Sequence, residues 1–200
     1  MTVAKPALGR RPWSASLILL LAVGSAGCGD AAQASSSPRT EGRRASLERA
    51  LSDFRRGLPT PAELSGGERS RDALVRRFLA AVERQDTNDV RGMLVTRAEF
   101  AHLYYPTSPF AVRQQAGLWW FLNMENSRVG ITRTFSRLGG KPLRYVSHHC
   151  RPPAADGANL THDYCRVTFA VRGDTSTVRL FGSILERDGR YKFMGFGNDF

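Results

Sequence analysis

No stretch of the 200 residues supplies the roughly 20 consecutive apolar residues of a membrane-spanning helix, since the apolar segment Leu17 to Val23 falls well short of that. Acids are scarce: 18 Asp and Glu stand against 29 Lys and Arg, for a net charge of +11, and none precedes Asp30. Lysine is scarcer still, present only at Lys5, Lys141 and Lys192. The excess positive charge is scattered singly, as at Arg113, Arg128, Arg133, Arg137 and Arg144. It forms neither the stripe nor the interleaved aromatics of a nucleic-acid groove, so no nucleic-acid partner is expected. A serine nucleophile elbow, a Gly-rich phosphate loop and a metalloprotease helix motif are all missing, which leaves no cofactor to expect. The 4 histidines and 3 cysteines show no recognised ligand spacing, so no metal is expected either. There is no internal repeat, which excludes a solenoid.

What is present begins at the N-terminus. Lys5, Arg10 and Arg11 form a basic start, Leu17 to Val23 an apolar run, and Ser25-Ala26-Gly27-Cys28 a small-residue site ending in a thiol. The segment 1–27 resembles a bacterial lipoprotein export signal. That resemblance implies acylation of Cys28, a membrane-lipid partner through it, and a cell-envelope location facing the periplasm or the exterior. Ser25 stands where such sites usually carry Leu, and an ordinary secretory signal cut nearby is the alternative. Gly29 and Asp30 leave inner and outer membrane undecided.

Residues 28–69 read as a tether. Gly29 to Thr40 is Ala, Ser, Gln and Pro, too polar to offset its ordering entropy. Leu47, Leu51, Phe54 and Leu58 then recur at helical spacing over about 46–58, either as a strut packed on the main domain or as a helix lying on a membrane surface. Thr60-Pro61-Ala62-Glu63 carries a capping box and predicts a short helix ended by Gly66 and Gly67.

The main domain is expected over 70–200. Leu74, Val75, Phe78, Leu79 and Val82 draw one apolar helix face from Ser70 to about Gln85, and Val90, Met93 and Leu94 suggest a second helix capped by Thr87. Thr96-Arg97-Ala98-Glu99 is a capping box opening a helix that stops before Pro106. Ser108-Pro109 starts a largely apolar helix that Gly139-Gly140 ends. After Lys141 the period changes to alternation. Leu143 to Cys150, Tyr164 to Arg172, Thr177 to Glu186 and Arg190 to Phe196 read as four strands, with a hairpin at Asp188-Gly189 and a turn at Gly173-Asp174. Helices first and an antiparallel meander afterwards predict an α+β fold, with N-terminal helices packed on a curved sheet of about four strands.

This order of elements, the Phe100, Tyr104, Tyr105 segment before the sheet and the closing strand Gly189-Arg190-Tyr191-Lys192-Phe193 resemble the nuclear transport factor 2-like superfamily. The resemblance implies a cone enclosing a pocket. The superfamily contains isomerases, dehydratases and cyclases beside non-enzymatic binding and assembly domains, so fold alone does not choose among them.

Cys150 and Cys165 lie at the ends of neighbouring strands, and an oxidising compartment favours a disulfide between them over a metal site with nearby His148, His149 and His162. Alternation puts Cys165, Val167, Phe169 and Val171 on one apolar face, which would place Val146, His148 and Cys150 there as well. His148, Tyr104 and Glu99 are the candidate acid–base residues, with His102 nearby, and His148, Tyr105, Trp119 and Phe169 the candidate pocket lining. Each also has a structural reading: a hydrogen-bonded core histidine, a capping glutamate, core aromatics that include Trp120. Two functions follow. One is a membrane-tethered, non-enzymatic domain binding a small apolar ligand or an envelope protein. The other is a small-molecule enzyme using acid–base chemistry in the cone.

Overall fold

The computed structural model describes residues 38–200. The export-signal reading, Cys28 and the first part of the tether lie outside the described residues. Helix α1 (Pro38–Arg55) begins earlier than the expected Ser46. Its stripe of Leu51, Phe54 and the following Leu58 packs against Phe100, Leu103 and Tyr104, so α1 is a strut on the domain. Arg55 fixes its end by donating from Nε and Nη2 to the Ala101 carbonyl, 3.0 and 2.8 Å away. Packing therefore starts at α1 and not at Ser70. The short helix expected after Thr60 does not form. Leu64 is drawn into the core, and Glu68 instead forms a bridge with Tyr191.

Helix α2 (Arg71–Glu83) is capped by Ser70, whose hydroxyl accepts from the Ala73 amide, and buries Leu74, Val75, Phe78, Leu79 and Val82 on one face. Helix α3 (Thr87–Gly92) is capped by Asp86, one residue before the expected Thr87. Helix α4 (Arg97–Glu99) opens with the expected capping box and continues as a π-helical turn, Phe100–Tyr104, and a 3-10 turn, Tyr105–Thr107. Helix α5 (Ala116–Leu138) starts after the predicted Ser108, because the intervening residues form turns. It also leaves Leu118, Phe121, Leu122 and Val129 exposed.

Among the described residues seven strands stand where four are expected: β1 (Arg144–His149), β2 (Ala154–Asp156), β3 (Asn159–His162), β4 (Arg166–Val171), β5 (Asp174–Val178), β6 (Ile184–Arg187) and β7 (Arg190–Phe193). They form two antiparallel sheets, ordered β1-β4-β5 and β2-β3-β6-β7, and the fold is α+β. The run expected as one strand over Thr177–Glu186 breaks at Arg179–Ser183, where the chain leaves the first sheet for the second. The loop expected between the cysteines holds the β2–β3 hairpin. Asp188 and Gly189 turn the β6–β7 hairpin with φ of 50° and 70°, as their types favour. No helix among the described residues is long and apolar enough to cross a membrane.

The interior is filled. Phe78 stacks on Phe196 with ring centroids 5.5 Å apart, and Phe181 and Phe193 close to 4.5 Å beside it. Phe196 lies against α5, where Gly130 lets the chain approach. A Cβ there would fall 1.7 Å from the Phe196 carbonyl oxygen.

Candidate functional site

The β1–β4 register shifts between Tyr145 and Ser147, which opposes Phe169 to Tyr145 and leaves Val146 as the extra residue of a bulge. Val146 is exposed as a result, against the alternation argument, whereas Tyr145, His148 and Cys150 turn inward. Cys150 and Cys165 are disulfide-bonded, closing the step after the His149–Arg166 pair.

Tyr145 donates its hydroxyl proton to Asp72 Oδ1 on α2 at 2.5 Å, and His148 Nδ1 lies 2.8 Å from the same hydroxyl. With that proton committed to Asp72, the matching tautomer has Nδ1–H donating to the tyrosine oxygen. Burial, helped by Arg71, holds His148 below the usual histidine value, although Asp72 pulls the other way. Burial and the Asp72 hydrogen bond push Tyr145 up to about 12. Asp72 itself is lowered by hydrogen bonds from Arg76 and Tyr145. On β3, His162 Nε2 lies 2.7 Å from Glu186 Oε2, and its Nδ1 is buried with no partner. Among the described residues no three His, Cys, Asp or Glu side chains are grouped to hold a metal ion. None of the described cavities is lined by His148, Tyr145 or Asp72.

Glu99 has a structural task. Its carboxylate accepts from the Thr96 amide at 2.7 Å, closing the capping box, and from the Ser65 amide at 2.7 Å and hydroxyl at 3.1 Å. It also accepts from Lys192 Nζ at 2.8 and 3.1 Å. Both side chains are almost wholly buried. Burial pushes Glu99 up, but the donors outweigh it and the net direction is down. Every lone pair is engaged, and no substrate position remains.

The residues expected to share one pocket are dispersed. Phe169 is buried in the core beside Val167 and Phe181. Tyr105 donates to the Gln114 carbonyl and borders a cleft beneath α1. Trp119, on the first turn of α5, lines a cavity of about 320 Å³ together with Tyr104 and Phe110. The capping box and the π-turn after it orient Tyr104, and stacking on Phe100 at 4.8 Å holds Trp119. Asp156 from β2, Thr161 from β3, Asp163 just after that strand and Ser183 from the loop before β6 also line it, with Asn123 and Asn126 from α5. Burial, then the charges of Asp163 and Asp156, drive the Tyr104 hydroxyl well above the usual tyrosine range. A cavity of about 530 Å³ between α3 and α5 is larger but mainly apolar, bordered by Val90, Leu94, Ile131 and Phe135.

The sequence singles out none of Asp156, Thr161 and Asp163, because 151–163 reads as an irregular loop, nor Asn123, a polar position within a largely apolar helix. Ala155-Asp156-Gly157 between alternating residues is the hairpin signal that could have found two of them. His102 lies apart from His148, with Nε2 buried and unpartnered and its proton affinity lowered by burial and by Arg55. No protein-family model matches the chain, and no curated protein or solved structure is significantly similar to it.

Proposed function

We propose that the chain is a lipid-anchored protein of the cell envelope, facing the periplasm or the exterior, whose domain binds a small molecule without transforming it. The carrying observation is the cavity of about 320 Å³, lined by both aromatic and polar side chains. The histidines lie elsewhere, and Tyr104 is moved further from neutral pH. A base or acid poised for turnover near neutrality needs the opposite displacement. The lipoprotein-like segment ending at Cys28 supports the location, and the disulfide between Cys150 and Cys165 fits an oxidising compartment. Helices before strands and a filled aromatic interior support a distant relation to the binding members of the nuclear transport factor 2-like superfamily.

The Asp72–Tyr145–His148 hydrogen-bond chain favours a second reading, an acid–base enzyme with His148 as the proton carrier. The cavity of about 320 Å³ is lined by other residues than these three, so the binding reading stands first.

Two measurements test the proposal. Wild-type protein should partition into the detergent phase and Cys28→Ala into the aqueous phase; unmodified wild type in the aqueous phase would remove the anchor. Native mass spectrometry of protein released gently from its own envelope should show a retained small mass that Trp119→Ala loses. A mass retained equally by Trp119→Ala would place binding outside this cavity.

A further inference from the structure

Resting on the reading that this cavity binds a small molecule, we infer that its occupant is a protonated organic amine, an ammonium head with at least one N–H on a short apolar body. Two carboxylates line the cavity, Asp156 at the end of β2 and Asp163 just after β3, and neither has an ion pair among the described residues. The nearby arginines are committed elsewhere. Arg151 lies over the Tyr164 ring at 3.6 Å, and Arg179 in the adjoining groove pairs with Asp199 at 2.8 Å. The Asp163 side chain accepts one hydrogen bond, from Ser183 at its Oδ1, which leaves Oδ2 open to a further donor.

Two further features select the same chemistry. Thr161 is only 7% exposed and lines the cavity, yet its Oγ1 has no hydrogen-bond partner of full geometry. Its hydroxyl can donate toward the neighbouring Tyr104 oxygen, and an occupant with an N–H or O–H supplies the donor that its own oxygen lacks. The aromatic wall of Tyr104, Phe110 and Trp119 is the surface on which a cation gains from the ring quadrupole and an apolar body gains from burial. An anionic occupant would meet two like charges, and a neutral one would leave both carboxylates without a counter-ion.

The test uses the full-length chain in neutral-detergent micelles at low salt, titrated with 2-phenylethylammonium, the uncharged 2-phenylethanol and the anionic phenylacetate, read by tryptophan fluorescence and calorimetry. The ammonium ion should saturate the protein and bind at least about tenfold tighter than the alcohol, the ratio expected from one partly screened charge contact. Asp163→Asn and Asp156→Asn should each cut that preference about fivefold while leaving the weak alcohol binding in place, with melting curves confirming that both variants fold. Equal affinity for alcohol and ammonium, or tighter binding of phenylacetate, would overturn the charge assignment and leave the cavity a binding site. Saturable binding unchanged in Trp119→Leu would place the probe elsewhere and overturn the assignment and the binding reading together. Failure of all three probes to saturate at about 20 mM, beyond the millimolar range of weak contacts, overturns both as well.

Discussion

The Glu99–Lys192 pair offers the sharpest test of how the domain is held together. Lys192 comes from β7 and Glu99 from α4, and the bond between them joins the last strand of the four-stranded sheet to the segment that turns into Tyr104. Lys192→Met keeps the length of the side chain and removes the charge. Glu99 then retains the Ser65 and Thr96 amides but loses the counter-ion that offsets its burial. Removing one partner of a buried pair costs about 3–5 kcal/mol, and the surviving amide donors put the expected loss at the lower end, about 3 kcal/mol. At about 2–4 °C per kcal/mol for a domain of this size, the melting temperature should fall by about 6–12 °C. Glu99→Gln should cost a similar amount, because it strands the lysine. The double variant should be more stable than the sum of the two losses by about 1–3 kcal/mol, since both remove one shared interaction. Acid titration adds a second readout. Because the folded carboxylate is lowered, its contribution is fully present above the ordinary value of 4.5 and is lost as pH falls below it. Wild type should therefore lose stability more steeply than Glu99→Gln below that pH. A loss under about 1 kcal/mol for Lys192→Met, the range of an exposed ion pair, would refute the reasoning.

Cys150→Ser and Cys165→Ser should each cost about 3 kcal/mol, the chain-entropy value for a loop closed across a separation of 15 residues, and the double change little more; reactive thiols in denatured, unreduced protein would contradict it. Gly130→Ala should destabilise by at least about 2 kcal/mol in chemical denaturation, because its methyl group collides with the Phe196 carbonyl. Gly92→Ala, which meets nothing within 4 Å, should leave stability unchanged or raise it by about 0.5–1 kcal/mol. His148 should titrate below 6.5 by NMR. Its lowered folded value means that stability is present above 6.5 and lost as pH falls through the folded value, a loss that His148→Phe should not show.

Local signals were legible. The apolar face of α2, the Thr96–Glu99 capping box, the Asp188-Gly189 turn and the Cys150–Cys165 pairing all depend on residues close in sequence or on strand adjacency. The failures come from events a local pattern does not encode. A bulge at Val146 shifted the alternation by one residue, so Tyr145 and not Val146 shares the inner face with His148. Thr60–Glu63 holds a sound start signal that loses to the burial of Leu64 and the bridge of Glu68 to Tyr191. Asp156 and Asp163 border the same cavity as Trp119 although they are far separated from it along the chain. Glu99 was correctly seen as a cap, but its lysine partner stands at a separation of 93 residues, beyond any window.

The order in which the chain visits its two sheets bears on how it matures. It lays down β1 in the first sheet, crosses to the second for β2 and β3, returns for β4 and β5, and crosses again for β6 and β7. Neither sheet can be finished before most of the chain has been made, which makes acquisition of the native state a late and slow event dominated by distant pairings. The Cys150–Cys165 bond rings the β2–β3 hairpin, so a bond formed early confines two strands of the second sheet inside a closed loop of the first. Oxidation thereby shortens the search, and a chain kept reduced must find β4 for β1 while β6, the partner of β3, is still to come. Such a chain exposes the unpaired edge of β3 for longer, and aggregation through that edge is the characteristic hazard of producing it in a reducing host.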